Sequence, residues 1–199
     1  MRKIVYICIL ALFLTTSLCS AEKYSHENKN FDASHISAVL VVCGLPEAQQ
    51  QYVNNPFVVQ EVYDYVSGQL QDGGIKVYTL PQMTAKINSE NHCDIEQMVQ
   101  TDPDAANAIF AQYSNLYQGL IEISVTAYNT SHSYGYFGGA CAGFDMQFEN
   151  AEKTALILAR RESRIRQSDV YHSAQPQGIA ERLLKNFCND VVKKIHSKR

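Results

Sequence analysis

Two groups of side chains have the chemical types that an enzyme would need. Cys141 could act as a nucleophile if a histidine, His132 or His172, took up its proton. No local signature of a cysteine hydrolase surrounds Cys141, and other cysteines are available to pair with it. Asp145 and Glu149 lie four residues apart on a predicted strand and share one face, and a solvated strand face is the favoured interpretation over a glycosidase pair.

Motifs of the common cofactor and metal enzymes are missing from the sequence. The chain contains no G-x-S-x-G, no phosphate-binding G-x-x-x-x-G-K-S/T, no H-E-x-x-H and no G-x-G-x-x-G. His92, Cys93 and Asp94 carry metal-ligand atoms, but direct sequence neighbours rarely point at one ion. The sequence therefore predicts a protein that is not an enzyme and that uses no metal and no cofactor.

The segment 128–139, YNTSHSYGYFGG, is the best candidate for a binding surface. Aromatic rings supply contact area at a small cost in side-chain entropy, and the small residues between them adapt their hydrogen bonds. The alternative is a hairpin loop whose rings fold back onto the core, and both interpretations remain open. The candidate binding residues are Tyr128, Asn129, His132, Tyr134, Tyr136 and Phe137.

A cluster of arginines lies on a later predicted strand. Arg160, Arg164 and Arg166 would share one face of that strand, and Arg161 would lie on the other. Such a cluster could bind an acidic partner or a phosphate group. Because glutamates are abundant nearby, a solvated sheet face with cross-strand ion pairs is the favoured interpretation.

The N-terminus has the features of a secretory signal peptide. Arg2 and Lys3 precede an apolar run at 4–14, which is too short to span a membrane comfortably. Small residues before Glu22 predict cleavage there, so that residues 1–21 are removed. Cys19 allows another interpretation, lipidation as a bacterial lipoprotein, although the residues before it fit that motif poorly. We expect an exported protein, periplasmic or secreted, that associates with a membrane only if Cys19 is lipidated.

Four of the six cysteines follow the predicted cleavage point, and the compartment beyond it is oxidising. One or two disulfides are therefore expected, and four cysteines allow three complete pairings. If the first two strands are parallel, Cys93 and Cys141 lie near one edge of the sheet and are the first choice for a bridge. Cys43 and Cys188 would then be buried thiols or a second pair.

Hydrophobic periodicity predicts the elements that position these residues. Residues 22–34 are polar and are expected to form a flexible leader before a single globular domain at 35–199. The stretch 81–100 is also polar and is expected to be a loop with room for one helical turn. A parallel βαβ unit and an antiparallel meander supply the other strands, which are predicted at 35–43, 75–78, 120–128, 143–149 and 154–165, with helices after Pro56 and Pro103.

The C-terminal stretch has the clearest helical pattern. Apolar residues recur at helical spacing over about four turns between Ile179 and Ile195. Basic residues cluster at its end rather than along it, which favours packing on the sheet over a membrane-surface helix. The predicted fold is an α/β (α+β) two-layer sandwich of order β-α-β-α-β-β-β-α, with a mixed sheet and this helix packed on it.

Length and composition limit the remaining possibilities. A chain of 199 residues suits one ordinary domain, and 46% hydrophobic with 19% charged residues indicates a globular protein. The formal net charge of −3 argues against a nucleic-acid-binding protein, so we expect no nucleic-acid partner.

The order of three stretches resembles a group of bacterial envelope domains. The stretches are SAVLVVC, SGQLQDGGIKVYTL and ANAIFAQYSNLYQGLIEISVTAY. They resemble the N-terminal domain of TolB, the curli-secretion lipoprotein and related uncharacterised periplasmic lipoprotein families. The resemblance implies an adaptor in an envelope assembly rather than an enzyme.

Three functions follow from these observations, in order of preference. The first is a non-enzymatic exported binding or adaptor module of the bacterial cell envelope that contacts a protein or another envelope component. The second is a secreted effector or host-surface binding protein. The third is a cysteine-dependent hydrolase that uses Cys141.

Overall fold

The computed structural model describes residues 23–131, 139–167 and 175–197. The strands are β1 (Lys23–Glu27), β2 (Ala38–Gly44), β3 (Lys76–Thr79), β4 (Gly119–Ser131), β5 (Gly139–Asn150) and β6 (Leu156–Gln167). The helices are α1 (Val58–Asp72), α2 (Leu80–Asn91), α3 (Ile95–Thr101), α4 (Pro103–Tyr113) and α5 (Pro176–His196), with 3₁₀ turns at Glu47–Tyr52 and Ser114–Leu116.

The six strands form one mixed sheet in the order β1-β6-β5-β4-β2-β3. β2 runs parallel to both β3 and β4, whereas β4, β5, β6 and β1 pair antiparallel. The predicted parallel βαβ unit and the three-stranded meander are both present. The α+β sandwich with a mixed sheet is therefore confirmed.

The end of α1 shows how the sequence produces the βαβ unit. Gly74 adopts a left-handed φ of 77°, which glycine reaches without steric cost. The N–H of Gly74 donates to the carbonyl of Gln71 at 2.8 Å, and that of Ile75 donates to Leu70 at 3.0 Å. This pair of bonds is a Schellman motif, which ends the helix and turns the chain into β3.

Strand β2 is buried on both faces because helices cover the sheet from both sides at this point. Val39 and Val41 face the main core, where α1 packs against β2 and β3, and α5 packs against β4, β5 and β6. Leu40 and Val42 face a second cluster that α2, α3 and α4 build with Leu120. The continuous apolar pattern of this strand, as opposed to an alternating one, follows from burial on both sides.

Helix α5 fills the centre of the main core. Its apolar stripe is buried against the sheet and α1, with Leu183, Phe187 and Val191 each at most 1% exposed. The predicted packing of the C-terminal helix on the sheet is confirmed. Within the described ranges, no helix has both the length and the apolar character needed to cross a membrane.

Two stretches differ from the sequence-based expectation. Residues 23–27, expected to lie in a flexible leader, form β1, which pairs with β6 although all five side chains are exposed. Backbone pairing and one ion pair, between Glu27 and Lys194 at 3.5 Å, hold this strand, so its side chains carry no apolar signal. The stretch 81–100 is helical rather than loop, because Thr79 and Gln82 form a capping box that starts α2 and Asp94 caps α3.

The disulfide expectation is wrong for the part of the chain that the structure describes. Cys43, Cys93, Cys141 and Cys188 are not joined to one another. Cys93 does not directly follow β3, because the 12 residues of α2, about 18 Å of helix, carry the chain away from that edge. Cys141 pairs with Asn129, five residues or about 16 Å beyond the end of β2.

Candidate functional site

The hairpin of β4 and β5 extends well past the parallel part of the sheet. β2 ends at Gly44, opposite Ser124, whereas β4 continues for seven more residues to Ser131. At the usual rise of a strand, this extension is about 23 Å long. β5 and β6 follow it to the same end, where Ser131, Gly139 and Gln167 are neighbours in register. The segment 132–138 thus starts and finishes on a three-stranded ribbon.

A short stretch after the first 3₁₀ turn covers the edge of β4 beyond β2. Val53 forms a parallel bridge with Tyr128, and the N–H of Asn54 donates to the Tyr128 carbonyl at 3.1 Å. The Asn129 amide donates to the carbonyl of Tyr52 at 3.0 Å. The Asn54 bond satisfies a β4 carbonyl that β2 no longer reaches, and the Asn129 bond satisfies the carbonyl of Tyr52. Together they fix the base of the hairpin.

Tyr128 faces the main core and contributes to the wall of a cavity of about 360 Å³ between α1 and α5. The side chain is 5% exposed, and its hydroxyl donates to Glu61 Oε2 at 3.2 Å. Glu61 also accepts from the amide of Asn55 at 3.0 Å. Val62 and Leu184 form part of the apolar floor of this cavity.

Burial and negative charge dominate the electrostatics of the cavity. Burial, reinforced by the charge of Glu61, raises the pKa of Tyr128 to about 12. Burial and then the charge of Glu181 raise the pKa of Tyr65, which also lines the cavity. Both phenols therefore stay protonated at neutral pH and can act as hydrogen-bond donors.

The predicted binding residues fall into two groups. The ring of Tyr128 packs into the core, which agrees for this residue with the alternative in which the rings fold back onto the core. Asn129 is half-buried and donates to the carbonyl of Tyr52. The four others lie outside the described residues, and their role stays a prediction: His132, Tyr134, Tyr136 and Phe137.

The arginines lie on the faces that the strand pattern predicted, and three of them form ion pairs. Arg160 pairs with Asp190 of α5 at 2.6 Å, joining the helix to the sheet. On the same face, Arg164 pairs with the buried Glu162 at 2.6 Å. Arg161, on the opposite face, pairs with Asp145 at 2.6 Å. The Arg161 pair crosses from β6 to β5, as the favoured interpretation expected. That interpretation is wrong for Arg160, which pairs with a helix, and for Arg164, which pairs within its own strand.

The cysteines do not form an evident reaction centre among the described residues. Cys141 lies in β5 with 5% exposure, and the histidines considered as its partners, His132 and His172, lie outside the described residues. Burial raises the pKa of both Cys43 and Cys188 to about 12, so these two thiols are protonated at neutral pH. Within the described ranges, no three histidine, cysteine or acidic side chains are placed to share a metal ion.

Sequence reasoning missed two features of this end of the molecule. Phe57, which precedes α1 next to the cavity residue Val58, is 70% exposed. The cavity itself combines residues from α1, β4 and α5, which are distant in sequence. The sequence gives one indication of an acidic cavity, because the helix α1 contains acidic residues and no basic residue.

Comparisons with known proteins identify the fold. No family model matches the chain, and no curated protein matches it. The chain is similar in structure to the PelC dodecamer from Paraburkholderia phytofirmans, with a TM-score of 0.54 and 12% identity over 89% of this chain and 100% of that one. A substituted form of that dodecamer from the same organism gives a TM-score of 0.53 and 12% sequence identity, over 90% of this chain and 100% of that one.

Lipoprotein GNA1162 from Neisseria meningitidis gives a TM-score of 0.46 and 13% identity, over 79% of this chain and 99% of that one. At identities this low, the PelC structures show a shared fold. The resemblance to bacterial domains therefore holds at the level of fold. The specific resemblance to TolB and to the curli-secretion lipoprotein stays a prediction.

Proposed function

We propose that this chain is an exported, non-enzymatic binding module of the bacterial cell envelope that contacts a protein or other envelope partner through the end of its β4–β5 hairpin. The observation that carries the proposal is the seven-residue extension of β4 past β2, with its base fixed by Asn54 and Asn129. A hairpin base that is already held by these bonds does not have to be ordered when a partner binds, which lowers the entropy cost of binding.

The composition of the end segment supports the same role. Tyr134, Tyr136 and Phe137 are ring-bearing residues of the kind that dominate binding energy in protein interfaces. The signal-like N-terminus supports export, and Cys19 would add membrane attachment only if it carries a lipid.

Affinity capture from envelope extracts of the native organism tests this proposal. The bait is the mature protein, compared with a Tyr134→Ala/Tyr136→Ala variant and with Tyr24→Ala as the matched control. Tyr24 is 57% exposed on β1, so its loss removes a surface ring elsewhere on the sheet. We expect one partner to be retained by the control and lost by the double variant. Retention by the double variant would contradict the proposal.

Self-association is a second element of the proposal. The PelC structures with this fold are named as dodecamers, which supports a test for a ring or another closed oligomer. Light scattering after size-exclusion chromatography measures the mass directly. A monomer at all concentrations tested would remove this element and leave the hairpin proposal intact.

Secretion as an effector or host-surface binding protein is the alternative. An effector would use the same hairpin on a different partner. Fractionation of the native organism into periplasm, membranes and medium distinguishes an envelope module from a secreted effector. Protein found mainly in the medium favours the effector.

A hydrolase that uses Cys141 ranks third. Rapid alkylation of the Cys141 thiol in the native protein would favour this hydrolase hypothesis.

A further inference from the structure

The cavity between α1 and α5 has a composition that fits one class of ligand. Its floor is apolar, with Val62 and Leu184 each 2% exposed. Two aromatic rings, those of Tyr65 and Tyr128, contribute to its lining. Its volume of about 360 Å³ is at the lower end of the range for small-ligand sites.

Three carboxylates, those of Glu61, Asp64 and Glu181, also line this cavity. Their hydrogen-bond donors are neutral: Asn55 and Tyr128 donate to Glu61, Gln60 donates to Asp64 at 2.8 Å, and Gln177 donates to Glu181 at 2.9 Å. Within residues 23–131, 139–167 and 175–197, no lysine, arginine or histidine lines the cavity or forms an ion pair with these three groups.

This arrangement contrasts with the other carboxylates that face the core side of the sheet. Asp190 has Arg160, Glu162 has Arg164, and Glu27 has Lys194 at 3.5 Å. The cavity thus concentrates negative charge that the fold leaves without a counter-charge in its described part. The raised pKa of Tyr128, partly caused by Glu61, reflects the same negative potential.

We propose that the cavity binds an alkylammonium group, with its apolar stem on Val62 and Leu184 and its charge among Glu61, Asp64 and Glu181. The aromatic rings and the carboxylates attract the cation of such a ligand, and the apolar floor takes its methylene stem. A free polyamine and a lysine side chain of a protein partner both present this chemistry. The proposal does not depend on the hairpin contact proposed above.

Amide NMR titration of the mature protein at low salt tests the site. The probes are n-pentylammonium, pentan-1-ol and pentanoate, which share a stem and differ in charge. We expect pentylammonium to shift the amides around Tyr65 and Glu181 and to bind at least tenfold more tightly than pentanol. Equal binding of pentanol, or shifts that map away from the cavity, would overturn the proposal.

Two variants remove the charge one carboxylate at a time. Glu61→Gln and Glu181→Gln should each weaken pentylammonium binding about fivefold, and high salt should weaken it further. Asp72→Asn is the control, because Asp72 is exposed at the far end of α1 and its loss changes the net charge equally. Unchanged binding in both cavity variants, or an equal loss in the control, would overturn the proposal.

The source of the ligand is resolved by two further probes at the same site. Spermidine represents a free polyamine, and acetyl-Gly-Lys-Gly-amide represents a lysine side chain in a partner protein. If one of these two probes binds more tightly than the other, and Glu61→Gln weakens that binding, the result supports the site and indicates which source of the alkylammonium group it prefers. Failure of both probes together with pentylammonium would refute it.

Discussion

Replacing Tyr63 by phenylalanine should destabilise the fold more than any other loss of one hydroxyl in α1. Tyr63 is buried, and its hydroxyl accepts from the N–H of Cys43 at 2.9 Å and donates to the carbonyl of the same residue at 3.2 Å. β3 ends at Thr79, opposite Val41, so it does not reach Cys43. The phenol therefore takes the place of the missing strand at the end of β2.

The magnitude follows from the two backbone groups that Tyr63→Phe leaves without a partner. An unsatisfied buried polar group costs about 1–3 kcal/mol, and we expect the pair to cost about 2–4 kcal/mol of unfolding free energy. For a domain of this size, that corresponds to a fall in Tm of roughly 5–15 °C.

Urea unfolding followed by circular dichroism measures this loss. Tyr65→Phe is the matched control, because Tyr65 is two residues away and its hydroxyl forms no hydrogen bond within the described residues. The control should change the unfolding free energy by less than about 0.5 kcal/mol. Equal stabilities of the two variants would refute the view that Tyr63 completes the backbone bonding of β2.

Three further predictions concern thiols, alkali and one ion pair. A thiol reagent should detect four free thiols in the denatured, non-reduced mature protein, because the cysteines are not bridged. In the native protein Cys43 and Cys188 should stay unreacted, because both are buried. Two free thiols or none after denaturation would contradict the unbridged cysteines. In the folded protein the pKa values of the Cys43 and Cys188 thiols, usually 9.0, and of Tyr63 and Tyr128, usually 10.0, are raised to about 12. The stability that these groups contribute is therefore present below about pH 9 and lost as the pH rises to about 12. In an absorbance titration Tyr63 and Tyr128 should ionise only when the protein unfolds, and ionisation of all tyrosines near pH 10 in the folded protein would contradict this. Arg160→Ala should cost only about 0.5–1 kcal/mol, measured by thermal unfolding, because its ion pair with α5 is partly exposed; a loss several times larger would mean that this pair holds the helix in place.

The sequence was informative where burial imposes a period on the side chains. The unbroken apolar run of β2 is typical of a strand buried on both faces, and the stripe of α5 predicted packing on the sheet. Gly73 and Gly74 follow Asp72 at the end of α1, and apolar and polar residues alternate along β4 in the meander. In each of these elements, the pattern of apolar and polar residues in the sequence matches the burial of the side chains in the fold.

Elements held by backbone bonds or by caps left no such pattern. β1 has five exposed side chains, and its backbone pairing with β6 defines it. α2 is amphipathic only weakly, and its start depends on the capping box of Thr79 and Gln82. A polar composition therefore concealed both elements.

The candidate site was predictable only in part, for a related reason. The aromatic segment could be found from composition, but whether Tyr128 points inward depends on the bulge between Val125 and Ala127, which changes the register of the strand. The cavity joins α1, β4 and α5, and no local pattern relates Glu61 to Glu181. Both properties are set by tertiary packing rather than by neighbouring residues.

Site-specific photo-crosslinking in the native organism tests the central claim most directly. A photoreactive phenylalanine replaces Tyr134 at the hairpin end, Tyr24 on β1 or Phe110 on α4, and adducts are compared after irradiation. The proposed hairpin contact predicts one discrete adduct from position 134 and none of the same mass from the other two. The same adduct from positions 24 or 110, with none from 134, would contradict it.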